Sequence, residues 1–138
     1  MSISIKVNRP LAVEEFIDIL NRSTLGERRP VDDYATMRGM VENTNLLVTA
    51  WDGELLVGVA RSMTDFHYAC YLSDLAVAAD YQRRGIGQDL LRVTSEQLGE
   101  NCKLILVSAP AADSYYPQHG FIRNERTWVL PHRAGQSE

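Results

Sequence analysis

The sequence predicts a mixed α/β fold in which helices cover both faces of one central sheet. The first observation is the stretch of residues 70–99, where an apolar run is followed by a glycine-containing loop and then by a helical pattern. The second is Asp52-Gly53 between two β-rich runs, which is among the strongest short signals for a hairpin. The chain of 138 residues has room for one well-formed core, so we expect a single domain over residues 1–138.

The first half of the chain predicts one strand and two helices ahead of the hairpin. Ser2–Val7 alternates β-branched and polar residues, which is typical of a strand. An amphipathic helix is predicted next because four apolar residues recur at helical spacing, namely Val13, Phe16, Ile17 and Leu20. A polar loop over residues 23–30 separates this helix from a second helical pattern at residues 31–42, which Asp32 or Asp33 can cap.

The two hairpin strands are predicted at Asn45–Trp51 and Glu54–Arg61. Both runs are apolar on two faces in places, which indicates a central position in the sheet with helices on either side. Residues 62–69 are expected to connect this hairpin to a further strand at Tyr71–Val77.

Beyond that strand, a polar loop leads into a helix that begins at Ile86 and ends near Gly99. One side of this helix is apolar and is expected to pack on the sheet; its residues are Ile86, Leu90, Val93 and Leu98. The remaining predicted elements are, in order, a buried strand at Lys103–Ser108, a short helix over Asp113–Tyr116, a closing strand at Thr127–Leu130 and a frayed tail at about residues 132–138.

Composition and charge narrow the class of protein. Hydrophobic residues make up 45% of the chain and charged residues 23%, which indicates a folded globular protein. With 18 acidic and 14 basic side chains the formal charge is −4, so we expect no nucleic-acid partner. No apolar stretch reaches the length of a signal peptide or a membrane span, so we expect a cytoplasmic protein with no membrane partner. Cys70 and Cys102 lack metal-type spacing and are predicted to be reduced thiols.

The loop before the Ile86 helix carries the pattern that points to chemistry. Its sequence QRRGIG, residues 82–87, delivers two arginines and two glycines to a helix N-terminus, where unpaired N–H groups and the helix dipole favour an anion. Because glycine has no Cβ, a phosphate can approach this backbone closely. The loop lacks the Lys-Ser or Lys-Thr of the P-loop and the third glycine of the dinucleotide fingerprint, so both of those nucleotide motifs are disfavoured.

This loop resembles the acyl-CoA signature of the GNAT superfamily of N-acetyltransferases, Gln/Arg-x-x-Gly-x-Gly/Ala, which lies between the central strand and the main helix of that fold. The likeness extends over LAVAADYQRRGIGQDLL, and KLILVSAP followed by SYYPQHGF is similar to a later strand and a tyrosine segment of the family. The resemblance implies a mostly antiparallel central sheet with a splayed pair of strands. It also implies acetyl-CoA as co-substrate, direct attack by an amine in a ternary complex, and no metal.

The resemblance also assigns the residues of the site. A backbone N–H near Ala76 to Ala78 would polarise the acetyl carbonyl. The implied cofactor-binding residues are Leu75, Ala76, Val77, Gln82, Arg83, Arg84, Gly85, Ile86, Gly87 and Gln88. Tyr116 stands where many members have the tyrosine that protonates the CoA sulfur, and a phenol with a pKa of about 10 suits that transfer. The alternative is a tyrosine that packs under the cofactor, with Tyr115 as its packing partner or in its role.

Two positions depart from the family pattern. Ala109 stands where many relatives have an Asn that contacts the pantetheine arm, so this contact must be missing or supplied otherwise. Gln82 replaces the commoner Arg at the head of the loop, so Arg83 and Arg84 would have to supply part of the phosphate charge.

The general base and the acceptor side stay open. The candidates for the base are Asp65, His67, Tyr71 and Asp74. Asp74 would serve an ordered-water relay or, alternatively, cap a backbone group. By resemblance Arg28, Arg29 and Tyr34 would contact the acceptor, whereas the residues themselves also fit a solvated charged loop and a core tyrosine.

The leading functional hypothesis is an N-acetyltransferase that acts on a primary amine of a small molecule or peptide. A toxin-like enzyme that acetylates an aminoacyl-tRNA is a second interpretation, and the acidic net charge counts against it. A third is a CoA-binding sensor module without turnover, against which Tyr116 argues. Dimers are common in the superfamily, so a homodimer is one expected assembly.

Overall fold

The computed structural model describes residues 2–132, which divide into two compact units between Val107 and Ser108. In the first unit five strands form one sheet in the order β1-β2-β3-β4-β5, namely β1 (Ile3–Val7), β2 (Leu46–Asp52), β3 (Leu55–Thr64), β4 (Ala69–Val77) and β5 (Lys103–Leu106). Neighbouring strands from β1 to β4 are antiparallel, and β4 pairs with β5 in parallel. The predicted mixed α/β class and the predicted hairpin are therefore confirmed.

Three α-helices belong to the same unit: α1 (Val13–Arg22), α2 (Tyr34–Glu42) and α3 (Ile86–Glu96). At the start of α1, the Ala12 N–H donates to Glu15 Oε1 at 3.0 Å, and this carboxylate also suits the positive end of the helix dipole. At the start of α2, the Thr36 N–H donates to Asp33 Oδ1 at 3.1 Å. Of the two predicted caps, Asp33 is therefore the one that is used.

The helices lie on both faces of the sheet, as the two-sided apolar pattern of β2 and β3 predicts. On one face, Phe16 of α1 and Met37 of α2 share a core cluster with Trp51 and Val59. On the other face, Gly58 lies directly beside Leu90 of α3. These central strands are buried on both sides because helices cover them from both directions.

Strand β4 is paired unevenly along its two edges. On one edge it follows β3 along its length, with a one-residue shift in register between Arg61 and Ser62. On the other edge β5 pairs only with Ala69–Leu72. Among the strands of residues 2–132, Asp74–Val77 therefore pair with β3 alone, which is the arrangement that a splayed strand pair requires.

The connection predicted at residues 62–69 is wrong in extent, because β3 continues to Thr64 and β4 begins at Ala69. Only residues 65–68 turn the chain. Asp65 makes so short a turn feasible, because its Oδ1 accepts the N–H groups of His67, Tyr68 and Ala69 at 2.9, 2.8 and 3.1 Å.

The second unit, described to residue 132, contains two short 3₁₀ turns at Pro110–Ala112 and Tyr116–His119. The helix predicted over Asp113–Tyr116 is wrong. Proline lacks an N–H and restricts the residue before it, so Pro110 and Pro117 leave room only for short turns.

The closing strand predicted at Thr127–Leu130 is also wrong, because these residues join no ladder in the described chain. A strand exists only through its backbone partner, and Trp128 and Leu130 are 89% and 94% exposed. The predicted frayed tail lies outside the described residues apart from His132, and the single domain stays a prediction.

Candidate active site

The loop at residues 82–88 joins β4 to α3 and builds the start of the helix. Arg83 and Gly85 take left-handed backbone conformations, with φ of 65° and 82°. The first helical hydrogen bond runs from the Asp89 N–H to the Gly85 carbonyl at 3.0 Å. The N–H groups of Ile86, Gly87 and Gln88 therefore have no partner within the helix, and together with the dipole they form a place for an anion.

The side chains of this loop are mostly exposed. Gln82, Arg83, Arg84 and Gln88 lie at the surface, whereas the Ile86 side chain is buried. Ile86 can therefore offer a ligand its backbone N–H but not its side chain. The Gln82 side-chain amide donates to the Val77 carbonyl at 3.0 Å, which fastens the head of the loop to the end of β4.

A tyrosine just before the loop braces one of its arginines and links the loop to the hairpin. The Arg84 guanidinium lies 5.1 Å from the centre of the Tyr81 ring. The Tyr81 hydroxyl donates to Asp52 Oδ2 at 2.6 Å, and this hydrogen bond raises the pKa of the phenol. The residue before Asp52, Trp51, is buried, and the Arg9 guanidinium lies 3.9 Å from the centre of its ring. Sequence reasoning missed the contacts that connect Asp52 through Tyr81 to Arg84.

The end of β4 presents two of its N–H groups away from β3. The Ala78 N–H donates to the Val57 carbonyl at 2.9 Å, so it is already engaged. Because backbone groups alternate along a strand, Ala76 also faces β3, while Leu75 and Val77 face the opposite edge. The sequence predicts a donor to the acetyl carbonyl near Ala76 to Ala78, and of these N–H groups only that of Val77 faces away from β3. The Leu75 N–H, two residues earlier, faces the same way.

Two arginines hold Asp74, one of the candidate bases, in the interior. Arg29 Nε lies 2.5 Å from Oδ1 of Asp74, and Arg61 Nε lies 2.5 Å from Oδ2. The Asp74 side chain is fully buried, and those of Arg29 and Arg61 are only 19% and 6% exposed. Asp74 is therefore the carboxylate of an ion cluster, which argues against a base, and Arg61 is a partner that the sequence did not indicate.

The other candidates for the base differ in their surroundings. Asp65 is occupied by its turn: the N–H groups of Tyr68, Ala69 and His67 lower the pKa of its carboxyl from 3.8 to about 2. A base that weak and that engaged is poorly suited to take a proton near neutrality. His67 is exposed, and Tyr71 is 39% exposed on β4.

The residues predicted for the acceptor side do not form one group. Arg28 is exposed. Tyr34 is 51% exposed and donates to Glu14 Oε1 at 2.9 Å, so the alternative of a core tyrosine is wrong. Arg29 points into the ion cluster with Asp74, so it is not part of a merely solvated loop.

Tyr116 lies in the second unit, within a small aromatic group. Its ring meets those of Tyr115 and Phe121 edge-on, with ring centres 5.3 and 5.4 Å apart. Tyr115 also lies against His119, with ring centres 4.3 Å apart, and burial raises the pKa of the Tyr115 phenol. The strand and loop residues of the predicted site thus lie in the first unit and the predicted acid in the second.

The family model of the acetyltransferase (GNAT) domain matches residues 12–129 of the chain. The chain belongs to the GNAT acetyltransferase family. The family that the sequence suggested is therefore confirmed.

Solved structures show the same GNAT fold. An acetyltransferase of the GNAT family from Streptococcus pneumoniae TIGR4 is 20% identical, with a TM-score of 0.75, and the match covers 94% of this chain and 98% of that one. The aminoglycoside N-acetyltransferase AAC(6′)-Iy, solved in complex with CoA, is 17% identical with a TM-score of 0.71, and 96% of each chain is covered. An aminoglycoside acetyltransferase from an uncultured soil metagenomic sample, in complex with sisomicin, is 17% identical with a TM-score of 0.69, and 95% of each chain is covered.

No curated protein sequence matches the chain significantly. Within residues 2–132, none of the GNAT helices has the length and apolar character needed to cross a bilayer. The same residues contain no group of three or more His, Cys, Asp or Glu side chains that could hold a metal ion.

Proposed function

We propose that the protein is an acetyl-CoA-dependent N-acetyltransferase that acetylates a primary amine of a small molecule or peptide. The observation that carries this proposal is the start of α3, where three N–H groups without a helical partner follow a left-handed Gly85 and two exposed arginines. Membership of the GNAT family supports acetyl transfer, and the CoA complex of AAC(6′)-Iy supports CoA as the carrier.

The residues of the loop suit a pyrophosphate. A Cβ built on Gly85 meets no atom within 4 Å, so the space over the helix start is open to a ligand. Arg83 and Arg84 supply charge-assisted donors there, and the ring of Tyr81 supports the guanidinium of Arg84. Gln82 adds no charge and instead fixes the loop to the carbonyl of Val77.

When bound, acetyl-CoA would supply a thioester whose acetyl carbon can form a bond to the amine nitrogen as its bond to sulfur breaks. We assign the N–H group of Val77 to the acetyl oxygen and that of Leu75, two residues earlier, to the pantetheine arm, because both face away from β3 and are fixed before any ligand arrives. Backbone donors held in this way stabilise the negative charge that develops on the oxygen at no cost in reorganisation. The side chains at these positions need not be polar.

We assign the proton for the departing sulfur to the hydroxyl of Tyr116. Aromatic contacts with Tyr115 and Phe121 hold its ring, as a positioned acid requires. Burial raises the pKa of the Tyr115 phenol, which makes Tyr115 a weaker acid than an ordinary tyrosine. Of the candidate bases, the engagement of Asp65 and Asp74 leaves His67 and Tyr71 for the proton of the amine.

Comparison of two glycine variants tests the proposal. Gly85 and Gly53 both have positive φ, 82° and 60°, and open space where a side chain would stand. Gly85→Val and Gly53→Val should therefore lose similar amounts of stability. Only Gly85→Val should weaken acetyl-CoA binding in calorimetry, by about tenfold or more, which is about 1.4 kcal/mol. Equal affinity of the two variants would contradict the loop assignment.

Turnover is tested separately from binding. The wild-type protein is incubated with acetyl-CoA and a panel of primary amines, and free thiol is followed over time. Release of thiol that depends on the amine is the expected result. Tight binding of acetyl-CoA without thiol release across a broad panel would indicate a sensor module instead.

A further inference from the structure

Partway along strand β4, the residues whose backbone N–H and C=O groups face β3 change from odd-numbered to even-numbered positions. Near its start, the Asp65 N–H donates to the carbonyl of Ala69 at 3.2 Å, so the odd-numbered residues there face β3. Near its end, the Ala78 N–H donates to Val57, so the even-numbered residues face β3. In a regular strand the direction of the backbone groups alternates from residue to residue, so the residues that face β3 would be all odd-numbered or all even-numbered. One extra residue must therefore lie between these two points.

The register identifies the extra residue. Asp74 lies opposite Arg61, and Leu72 lies opposite Ser62, so Ser73 has no residue of its own across the pair. This is a β-bulge. It stands immediately after Leu72, the last residue that pairs with β5.

Both arginines of the ion cluster bind both residues of the bulge. Arg61 contacts Asp74 through Nε and donates from Nη2 to the Ser73 hydroxyl at 2.9 Å. Arg29 contacts Asp74 through Nε and donates from Nη2 to the Ser73 carbonyl at 2.9 Å. The two side chains therefore hold the extra residue by its carbonyl, its hydroxyl and the neighbouring carboxylate.

The cluster is fastened to elements outside the sheet. Arg61 Nη1 donates to the Met40 carbonyl, in the last turn of α2, at 3.0 Å and lies 3.2 Å from the Thr44 hydroxyl. Arg29 Nη1 donates to the carbonyl of Arg28 at 2.9 Å. Movement of the bulge along β4 would therefore break contacts to α2 and to the loop before it.

We propose that Arg29 and Arg61 are positioning residues for acetyl transfer, because they pin the bulge at Ser73 and so direct the N–H groups of Leu75 and Val77 away from β3. If the extra residue moved toward the end of β4, these two N–H groups would bond β3 instead. The catalytic part of this inference rests on the proposed function, whereas the hold on the bulge does not.

The composition of the cluster indicates that it orients the backbone of β4 rather than stabilises the fold. Two guanidinium groups and one carboxylate are withdrawn from water here, and apolar side chains of similar volume stabilise an interior at least as well as buried ions do. Apolar packing cannot, however, select one carbonyl and one hydroxyl of a strand. Arginine can, because its five N–H donors have a fixed geometry.

The test compares Arg29→Met with Arg22→Met. Arg22 is the matched control because it is also partly buried and donates to a main-chain carbonyl of β3, that of Leu56, at 2.6 Å, well away from the bulge. The first measurement is amide hydrogen exchange, followed by NMR in the protein without ligand. In the wild type, Ala76 and Ala78 should exchange slowly, and Leu75 and Val77 faster, since only the former bond β3.

In Arg29→Met, the ratio of the exchange rates of the Leu75 and Val77 amides to those of the Ala76 and Ala78 amides should fall by about tenfold or more. In Arg22→Met this ratio should stay as in the wild type. The second measurement is kcat for thiol release, which should fall about 10²-fold in Arg29→Met relative to Arg22→Met, as expected for a misplaced reacting group. Arg29→Lys keeps a charge beside Asp74 but cannot also reach the Ser73 carbonyl, so its values should lie between those of the wild type and Arg29→Met.

An exchange pattern in Arg29→Met that matches that of Arg22→Met would overturn the hold on the bulge. A changed pattern with kcat equal to that of Arg22→Met would overturn the positioning role. A wild-type protein that releases no thiol with any amine would contradict the proposed function, while the exchange pattern would still decide whether the arginines hold the bulge.

Discussion

Arg61 and Asp74 face each other across the β3–β4 pair, and Arg61 Nε lies 2.5 Å from Asp74 Oδ2 with both side chains almost fully buried. Removing the carboxylate charge should therefore leave two guanidinium groups without their counter-ion. We expect Asp74→Asn to lower the free energy of unfolding in urea by about 3–5 kcal/mol.

The matched control is Asp18→Asn, because Asp18 pairs with Arg22 at 2.7 Å on the surface, with 62% of its side chain exposed. This change should cost about 0–1 kcal/mol, since solvent screens an exposed pair. Equal losses in the two variants would refute the view that the cluster depends on its buried charge.

The turn at residues 65–68 should depend on acid pH. Donation by the Tyr68, Ala69 and His67 N–H groups lowers the pKa of Asp65 to about 2, below its ordinary value of 3.8. The ionised carboxylate thus stabilises the folded protein above pH 3.8, and this contribution is lost as the pH falls toward about 2. Asp65→Asn should remove it. The difference in unfolding free energy between the wild type and Asp65→Asn should shrink over that interval, and a difference that is independent of pH would rule out this cause.

The two cysteines should react at different rates with a thiol reagent. Cys70 is completely buried in β4, and burial raises the pKa of its thiol, so it offers little thiolate. Cys102 is partly exposed. At mildly alkaline pH one thiol should react in the folded protein and both in urea. Cys102→Ser should abolish the fast reaction and Cys70→Ser should preserve it; the reverse pattern would show that the burial is wrongly assigned.

The two tyrosines of the second unit should differ in their effect on turnover. If the Tyr116 hydroxyl delivers the proton to sulfur, Tyr116→Phe should keep the ring contacts with Tyr115 and Phe121 and lower kcat on the order of 10²-fold or more. Tyr115→Phe is the control and should change kcat much less. Acetyl-CoA affinity is measured by calorimetry in both. Unchanged turnover in Tyr116→Phe would remove the acid role, and a matching loss of affinity would make the tyrosine a cofactor contact.

The hairpin and the start of α3 could be predicted because neighbouring residues determine them. Gly53 adopts a φ of 60° in the β2–β3 turn, and Gly85 adopts 82° as the residue before α3, conformations that cost glycine little. The residue types that permit these conformations are visible in the sequence without any knowledge of the fold. The same holds for the apolar spacing that marks α1 and α3.

The bulge could not be predicted, because it leaves no mark on the pattern of β4. Cys70, Leu72, Asp74 and Ala76 are all buried, so every second residue is interior without a break. The extra residue nevertheless turns Asp74 and Ala76 to the face of α1, opposite to that of Cys70 and Leu72. A periodicity of two shows burial but not which side of the sheet is buried.

Contacts between distant segments were equally hidden from the sequence. Arg29 stands in a loop that is polar enough to be solvated, yet its partner Asp74 lies 45 residues further on. In the second unit, apolar and aromatic residues such as Trp128 suggested a strand, but strand propensity cannot supply a pairing partner. The conformational preferences of neighbouring residues therefore predicted only those features that depend on neighbouring residues.

The position of Trp51 makes the start of α3 accessible to optical measurement. Its ring is only 2% exposed, and the next residue, Asp52, accepts the hydroxyl of Tyr81 in front of the loop. The other tryptophan of the chain, Trp128, is 89% exposed. An aqueous quencher such as iodide should silence the red-shifted emission of Trp128 and leave the blue-shifted emission of Trp51. The fluorescence that remains should then report any ligand that shifts Tyr81, without a label.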